Sequence, residues 1–208
     1  MIHRIYRLIF LLFVVAGSVR TFAQTPSSDV GVWIVQSELD ETTFLDEGDD
    51  VTIDFEESTG YGISFNHFWV GAFSTEVALQ KYGADMSIGI EDDPAFTIGE
   101  LDITSLTAMG QLHFNRAGRF SPYAGAGAAW ISGDFDPAVP VDPEDEVDLE
   151  SELTWTAAFG AHFHITERIS LAGEVKYLSW EAMEQGGSEE DAIDVNPLTF
   201  SAGVKVRF

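Results

Sequence analysis

The titratable side chains set inside apolar stretches are the residues of this sequence whose types and spacing could do chemistry. They are Glu76, His113, His162, His164, Glu174, Lys176 and Lys205, with the amides of Gln80 and Gln111 among them. His162 and His164 stand two positions apart, which puts both rings on one face of an extended strand. Imidazoles so placed could ligate a metal or gate a proton. However, His67, His113, His162 and His164 all fall beside short turn-forming stretches, and ring stacking and turn hydrogen bonds are their expected roles. Glu76, Glu174, Lys176 and Lys205 are two acids and two bases. Buried together, they form either a salt-bridged plug or the lining of a constricted pathway. Covalent catalysis needs a nucleophile, a base and an orienting acid within hydrogen-bond reach. There is no cysteine, and no Ser–His pair lies near the acid-rich segments. No catalytic residue, cofactor or metal site is therefore assigned, and the chain is not expected to be an enzyme.

Composition narrows the setting. The 208 residues include 16 Phe, 5 Trp and 19 Gly, are 45% hydrophobic, and carry a formal charge of -25. So many aromatics argue against disorder. So much negative charge repels phosphate, and a nucleic-acid partner is excluded. The apolar residues and the acids must be separated in space. Residues 1–23 read as a cleavable signal: Arg4 and Arg7, the apolar run LIFLLFVVAG, then Thr21-Phe22-Ala23. No other stretch approaches the roughly 20 apolar residues of a membrane-spanning helix. Residues 24–208 would have to enter a membrane as strands.

Strands are what the periodicity shows. In VNPLTFSAGVKVRF (195–208), Leu198, Phe200, Ala202, Val204, Val206 and Phe208 share one face, and Thr199, Ser201, Gly203, Lys205 and Arg207 the other. Leu153, Trp155, Ala157, Phe159, Ala161, Phe163 and Ile165 make the cleanest apolar face, opposed by Thr154, Thr156, His162 and His164. Further strands are expected at about 29–39, 51–65, 70–84, 103–114, 120–132 and 169–180, eight in all. The facing of the first is ambiguous. Val51, Ile53, Phe55, Tyr61, Ile63 and Phe65 share one parity, broken by Glu57. Lys81 sits on the apolar parity of its strand and would have to snorkel to a rim. Connections alternate between acid-rich loops (40–50, 85–102, 133–150, 181–194) and short turns (66–69, 115–119, 166–168).

Even spacing with no helical period implies an all-β fold, an eight-stranded antiparallel up-and-down transmembrane β-barrel. Long loops on one rim and short turns on the other suit an outer membrane. The arginines of the short turns (Arg116, Arg119, Arg168) and the acids of the long loops sort by rim in the same sense. Trp155, Tyr177, Phe163, Phe114 and Phe208 lie towards strand ends, as aromatic girdles do. On this facing the lumen receives Asp54, Glu56, Glu76, Gln80, Gln111, His113, His162, His164, Glu174, Lys176 and Lys205. Val204, Val206 and Phe208 form the apolar terminal face that barrel assembly would read. The acidic loops could meet cations or lipopolysaccharide, yet no D-x-[DN]-x-[DN]-G spacing occurs.

HFNRAGRFSPYAGAGAAW (113–130), ERISLAGEVKYLSW (167–180), IDVNPLTFSAGVKVRF (193–208) and the stretch from the Asn66 turn to Glu76 together resemble the OmpW family of small outer-membrane barrels. The resemblance implies a narrow, largely apolar channel passing small hydrophobic solutes across the outer membrane of a Gram-negative bacterium. Its implied partners are membrane lipid, lipopolysaccharide and the outer-membrane assembly machinery. The alternative is a closed structural or adhesive barrel whose acidic loops contact surface partners.

Overall fold

The computed structural model describes residues 27–39, 42–46, 49–69, 71–90, 96–138, 147–149, 151–182 and 193–208. The expected signal segment 1–23 lies outside the described residues, as do 91–95, 139–146 and 183–192 from three expected loops. Eight long strands follow one another: β1 (Ser27–Glu38), β2 (Asp49–Phe68), β3 (Phe73–Ile90), β4 (Phe96–His113), β5 (Phe120–Pro137), β6 (Glu152–His164), β7 (Ile169–Leu178) and β8 (Leu198–Arg207). Each pairs antiparallel with its neighbour in sequence. β1 also pairs with β8: Val30 opposes Phe65 on one side and Val206 on the other. The sheet thus closes into a barrel without an edge in this ring, the all-β fold expected.

Alternation decides which face turns outward. Ile34 is 66% exposed, Ile63 57%, Leu153 73% and Leu171 48%, while the residues that alternate with them, such as Val35, Ser64 and Ser170, are buried. Bulky apolar residues facing out on strand after strand suit hydrocarbon, not water. Trp155 and Tyr177 pack ring to ring on this surface, centroids 5.3 Å apart, as part of an aromatic belt.

Four strands outrun the membrane. β1, β6, β7 and β8 have 12, 13, 10 and 10 residues, near the roughly 9–11 that a tilted strand needs to cross. β2 has 20 residues, and β3, β4 and β5 have 18 each. Their extra length rises past the rim at the long-connection end. There the two faces exchange character. On β3 the outward side chains run Val77, Leu79, Lys81, then Asp85; the inward ones run Glu76, Gln80, then Tyr82, Ala84 and Met86. β4 makes the same exchange from Leu106 outward to Glu100, and β5 from Trp130 to Asp134 and Asp136. Lys81 donates to Asp102 Oδ2 at 2.9 Å in the open, so its snorkelling is realised at this level.

This exchange corrects two expectations. Much of the expected loop 85–102 is strand, because its acids alternate with inward apolar residues above the bilayer. Glu56 is exposed on the outside of the extension rather than in the lumen; the side chain of Asp54 lies outside the described set. The single apolar parity expected over 51–65 is also broken. A register irregularity between Glu57 and Tyr61 flips the strand, so Ile53 and Phe55 are buried inside while Tyr61, Ile63 and Phe65 face lipid.

Candidate functional site

The lumen has two storeys. At the long-connection end it is apolar. Trp33 and Val35 from β1, Ile53 and Phe55 from β2, Tyr82 from β3, Ile103 from β4 and Ile131 from β5 form one buried cluster with Leu178, Trp180 and Val195. Trp180 follows β7 and reaches past β6 to lie on β5, where a Cβ at Gly133 would come within 2.7 Å of its ring. Asn196, with φ 38°, bends the chain so that its side-chain oxygen accepts from Trp180 N at 3.1 Å. This local bend holds the tryptophan inside the apolar cluster.

At the short-turn end the lumen is polar, and the sequence-nominated residues converge there. Lys205 Nζ lies 2.5 Å from Glu76 Oε2 and 3.9 Å from Asp29 Oδ1. Its ammonium also sits 5.1 Å from the Trp33 ring centroid, where the two storeys meet. Lys176 pairs with Glu174 at 3.0 Å and donates to Gln80 Oε1 at 3.2 Å. Gln111 donates to Glu76 Oε1 at 3.2 Å and accepts from Asn66 at 3.2 Å. Tyr123 donates to Glu174 Oε2 at 2.7 Å. Eight strands enclose a space that side chains can just fill, and here ion pairs and hydrogen bonds fill it.

The histidines line the short-turn mouth. His113 is buried between Ser74, 3.0 Å from Nε2, and the rings of Tyr123 and His162 at 5.1 and 5.3 Å. His162 is buried, and half-buried His164 meets Ser170 Oγ through Nδ1 at 2.7 Å. His67 Nδ1 meets Ser28 Oγ at 2.9 Å and its ring meets Trp69 edge-on. These are stacking and turn contacts. Among the described residues no group of three His, Asp or Glu is arranged to hold a metal ion.

All nine lumen candidates therefore turn inward: Glu76, Gln80, Gln111, His113, His162, Glu174, Lys176 and Lys205 are buried and His164 is half-buried. Val204, Val206 and Phe208 face outward, with Val206 opposite Val30 on β1. Sequence reasoning missed Asp29, Asn66 and Tyr123 as members of the polar storey. Asp29 heads the inward parity of β1, but Val30, Val32 and Ile34 oppose Trp33 and Val35 there, and two apolar faces hide the direction. Asn66 falls where the sequence predicts a turn, and Tyr123 falls within a strand of small residues.

Residues 9–208 match the sequence family described as outer membrane protein beta-barrel domain. The crystal structure of the outer membrane protein OprG from Pseudomonas aeruginosa superposes with a TM-score of 0.69 at 13% identity, over 89% of this chain and 97% of that one. The solution structure of the E. coli outer membrane protein W superposes with a TM-score of 0.50 at 16% identity, over 89% of this chain and 99% of that one. These likenesses concern the fold. Among curated proteins, a 4-hydroxybenzoate octaprenyltransferase of Methylibium petroleiphilum is 36% identical over 68 residues, 33% of this chain. The chain spans 22% of that enzyme's length.

Proposed function

Because the chain belongs to the outer membrane β-barrel family, with the fold of the OmpW-like small barrels, we propose that it admits small apolar solutes to the outer membrane through the upper storey of its lumen. One observation carries this reading: the lining reverses along the axis, from the buried Phe55–Tyr82–Trp180 cluster to the ion-paired Glu76–Lys205 layer. An apolar molecule gains by leaving water for the first and would have to break buried ion pairs to cross the second. The long-connection end is then the extracellular one and the short turns face the periplasm. Hydrated ions find no favourable partner in the upper storey, so a steady ionic current is not part of this reading.

The test is entry of an apolar fluorescent probe into vesicles carrying the folded barrel, with ionic conductance recorded alongside. Trp180→Ala, which opens space in the apolar cluster, should speed probe entry. Lys176→Gln and Lys205→Gln should leave probe entry unchanged, because the solute does not cross the polar storey. A folded barrel whose probe entry ignores Trp180→Ala sinks the proposal. The weight then moves to a closed structural or adhesive barrel. That second reading has its own support: Glu56, Asp85, Glu100 and Asp136 stand directly opposite one another on the outside of the extension.

A further inference from the structure

The lipid-facing wall is not uniformly bulky. Across β6, β7, β8 and β1, the directly opposed outward residues Ala161, Gly173, Ala202 and Ile34 form a mostly small row. The row below it is Phe163, Leu171, Val204 and Val32; the row above is Phe159, Val175, Phe200 and Gln36. The small row is thus lower than the rows on either side, and a trench-like hollow of about 740 Å³ lies over it and the row below, lined by Ala161, Gly173, Ala202, Phe163, Leu171 and Val204. Barrel stagger makes it climb. Its lower ridge begins at Phe120, the first residue of β5, and ends at Val32, well inside β1. It therefore opens at the short-turn rim and rises into the hydrocarbon. The three strand steps from Ala161 to Ile34 span about 14 Å. With strands tilted about 45°, the trench rises about 10 Å over that run, within the roughly 15 Å of hydrocarbon in a single leaflet.

A cation stands where the trench opens. The Arg119 guanidinium lies 4.9 Å over the ring of Phe163, on the lower ridge. Arg168 is exposed in the turn between β6 and β7, with Glu167 beside it. Arg116 is committed elsewhere, to Gly71 O and Ser27 Oγ. An apolar trench that starts beneath a guanidinium and ends within one leaflet matches an amphiphile with a phosphate head and a hydrocarbon tail.

We propose that this trench is a binding site for one anionic phospholipid of the leaflet on the short-turn side, its phosphate on Arg119 and one acyl chain along Ala161, Gly173 and Ala202. Gly173 supplies a clean probe. A Cβ there would meet only Ser201 O, at 3.9 Å, so a side chain added at this position enters the trench and not the wall.

Native mass spectrometry of the folded barrel, titrated with phosphatidylglycerol or phosphatidylcholine of the same chains, tests the site. The expected result is one retained phosphatidylglycerol, with phosphatidylcholine held several-fold more weakly. Gly173→Phe should abolish retention of both lipids, Arg119→Gln should remove the preference between them, and Ala128→Leu, outward on β5 but away from the trench, should change nothing. Folding is checked by unboiled gel mobility; if Gly173→Phe does not fold, Ala202→Leu fills the same space. Three outcomes overturn the proposal: retention that ignores the filling variant, equal retention of the two lipids, or cross-linking of Gly173→Cys barrels into lipid-free dimers.

Discussion

Lys205 Nζ on β8 stands 2.5 Å from Glu76 Oε2 on β3, the two residues 129 positions apart in sequence and each side chain 1% exposed. The contact crosses the lumen and skips two intervening strands, so only the closed barrel can make it. Replacing Lys205 by Met leaves Glu76 and Asp29 buried without their cation. A buried pair broken on one side costs about 3–5 kcal/mol. Lys205→Met should therefore lower the unfolding midpoint sharply, read from folded and unfolded bands across a urea series. Adding Glu76→Met should restore much of the loss, because two apolar groups leave fewer charges stranded. Equal midpoints for Lys205→Met and the parent would remove the ion pair from any role in stability.

A second expectation concerns where the membrane stops. The exchange of faces near Lys81, Asp102 and Ser132 puts the outer boundary at that level. The chain has no cysteine, so single cysteines report cleanly. In vesicles, Leu106→Cys and Val175→Cys should resist a water-soluble maleimide, while Asp85→Cys and Asp134→Cys should react fast. Rapid labelling at Leu106→Cys would contradict the assigned lipid face.

The same exchange explains what could be read from the sequence. β6 and β8 keep one apolar face throughout, and their facing follows from Leu153, Trp155 and Phe163 or Phe200, Val204 and Val206 alone. The ion-paired layer was legible too, since Glu76, Glu174, Lys176 and Lys205 share the inward parity of their strands. β2 to β5 were legible only up to the bilayer. Beyond Lys81 the acids move outward and the apolar residues inward, so a strand with a reversed pattern reads as an acidic loop. The flip between Glu57 and Tyr61 adds a change of parity that no alternation rule anticipates. Which acid meets which lysine depends on register around the ring, and residues as far apart as Glu76 and Lys205 carry no local sign of it.

Outside the membrane, Glu100 sits directly opposite Asp85 on one side and Asp136 on the other, all three exposed. Like charges at opposed positions destabilise a sheet by about 0.2–1 kcal/mol. Glu100→Gln should raise the stability of the barrel in dilute buffer. The gain should vanish near 1 M salt, where the screening length falls to about 3 Å. A gain that persists in high salt would point to packing rather than charge.

Two glycines on the last strands should behave in opposite ways. Gly203 faces inward, and a Cβ there would come within 2.7 Å of the Trp33 ring and collide with Val32 O. The Trp33 indole is itself fixed by its bond to Ser64 Oγ at 2.9 Å and cannot swing clear without losing that partner. Overpacking of this kind costs about 1–3 kcal/mol. Gly173, opposite Ala202 on the neighbouring strand, has open space outside it. Gly203→Ala should therefore lower the urea midpoint clearly, while Gly173→Ala should stay within about 0.5 kcal/mol of the parent. If the two alanines cost the same, the penalty belongs to glycine's backbone freedom and not to the packing of Trp33 against β8. The close approach between the storeys would then carry no weight in holding the lumen shut.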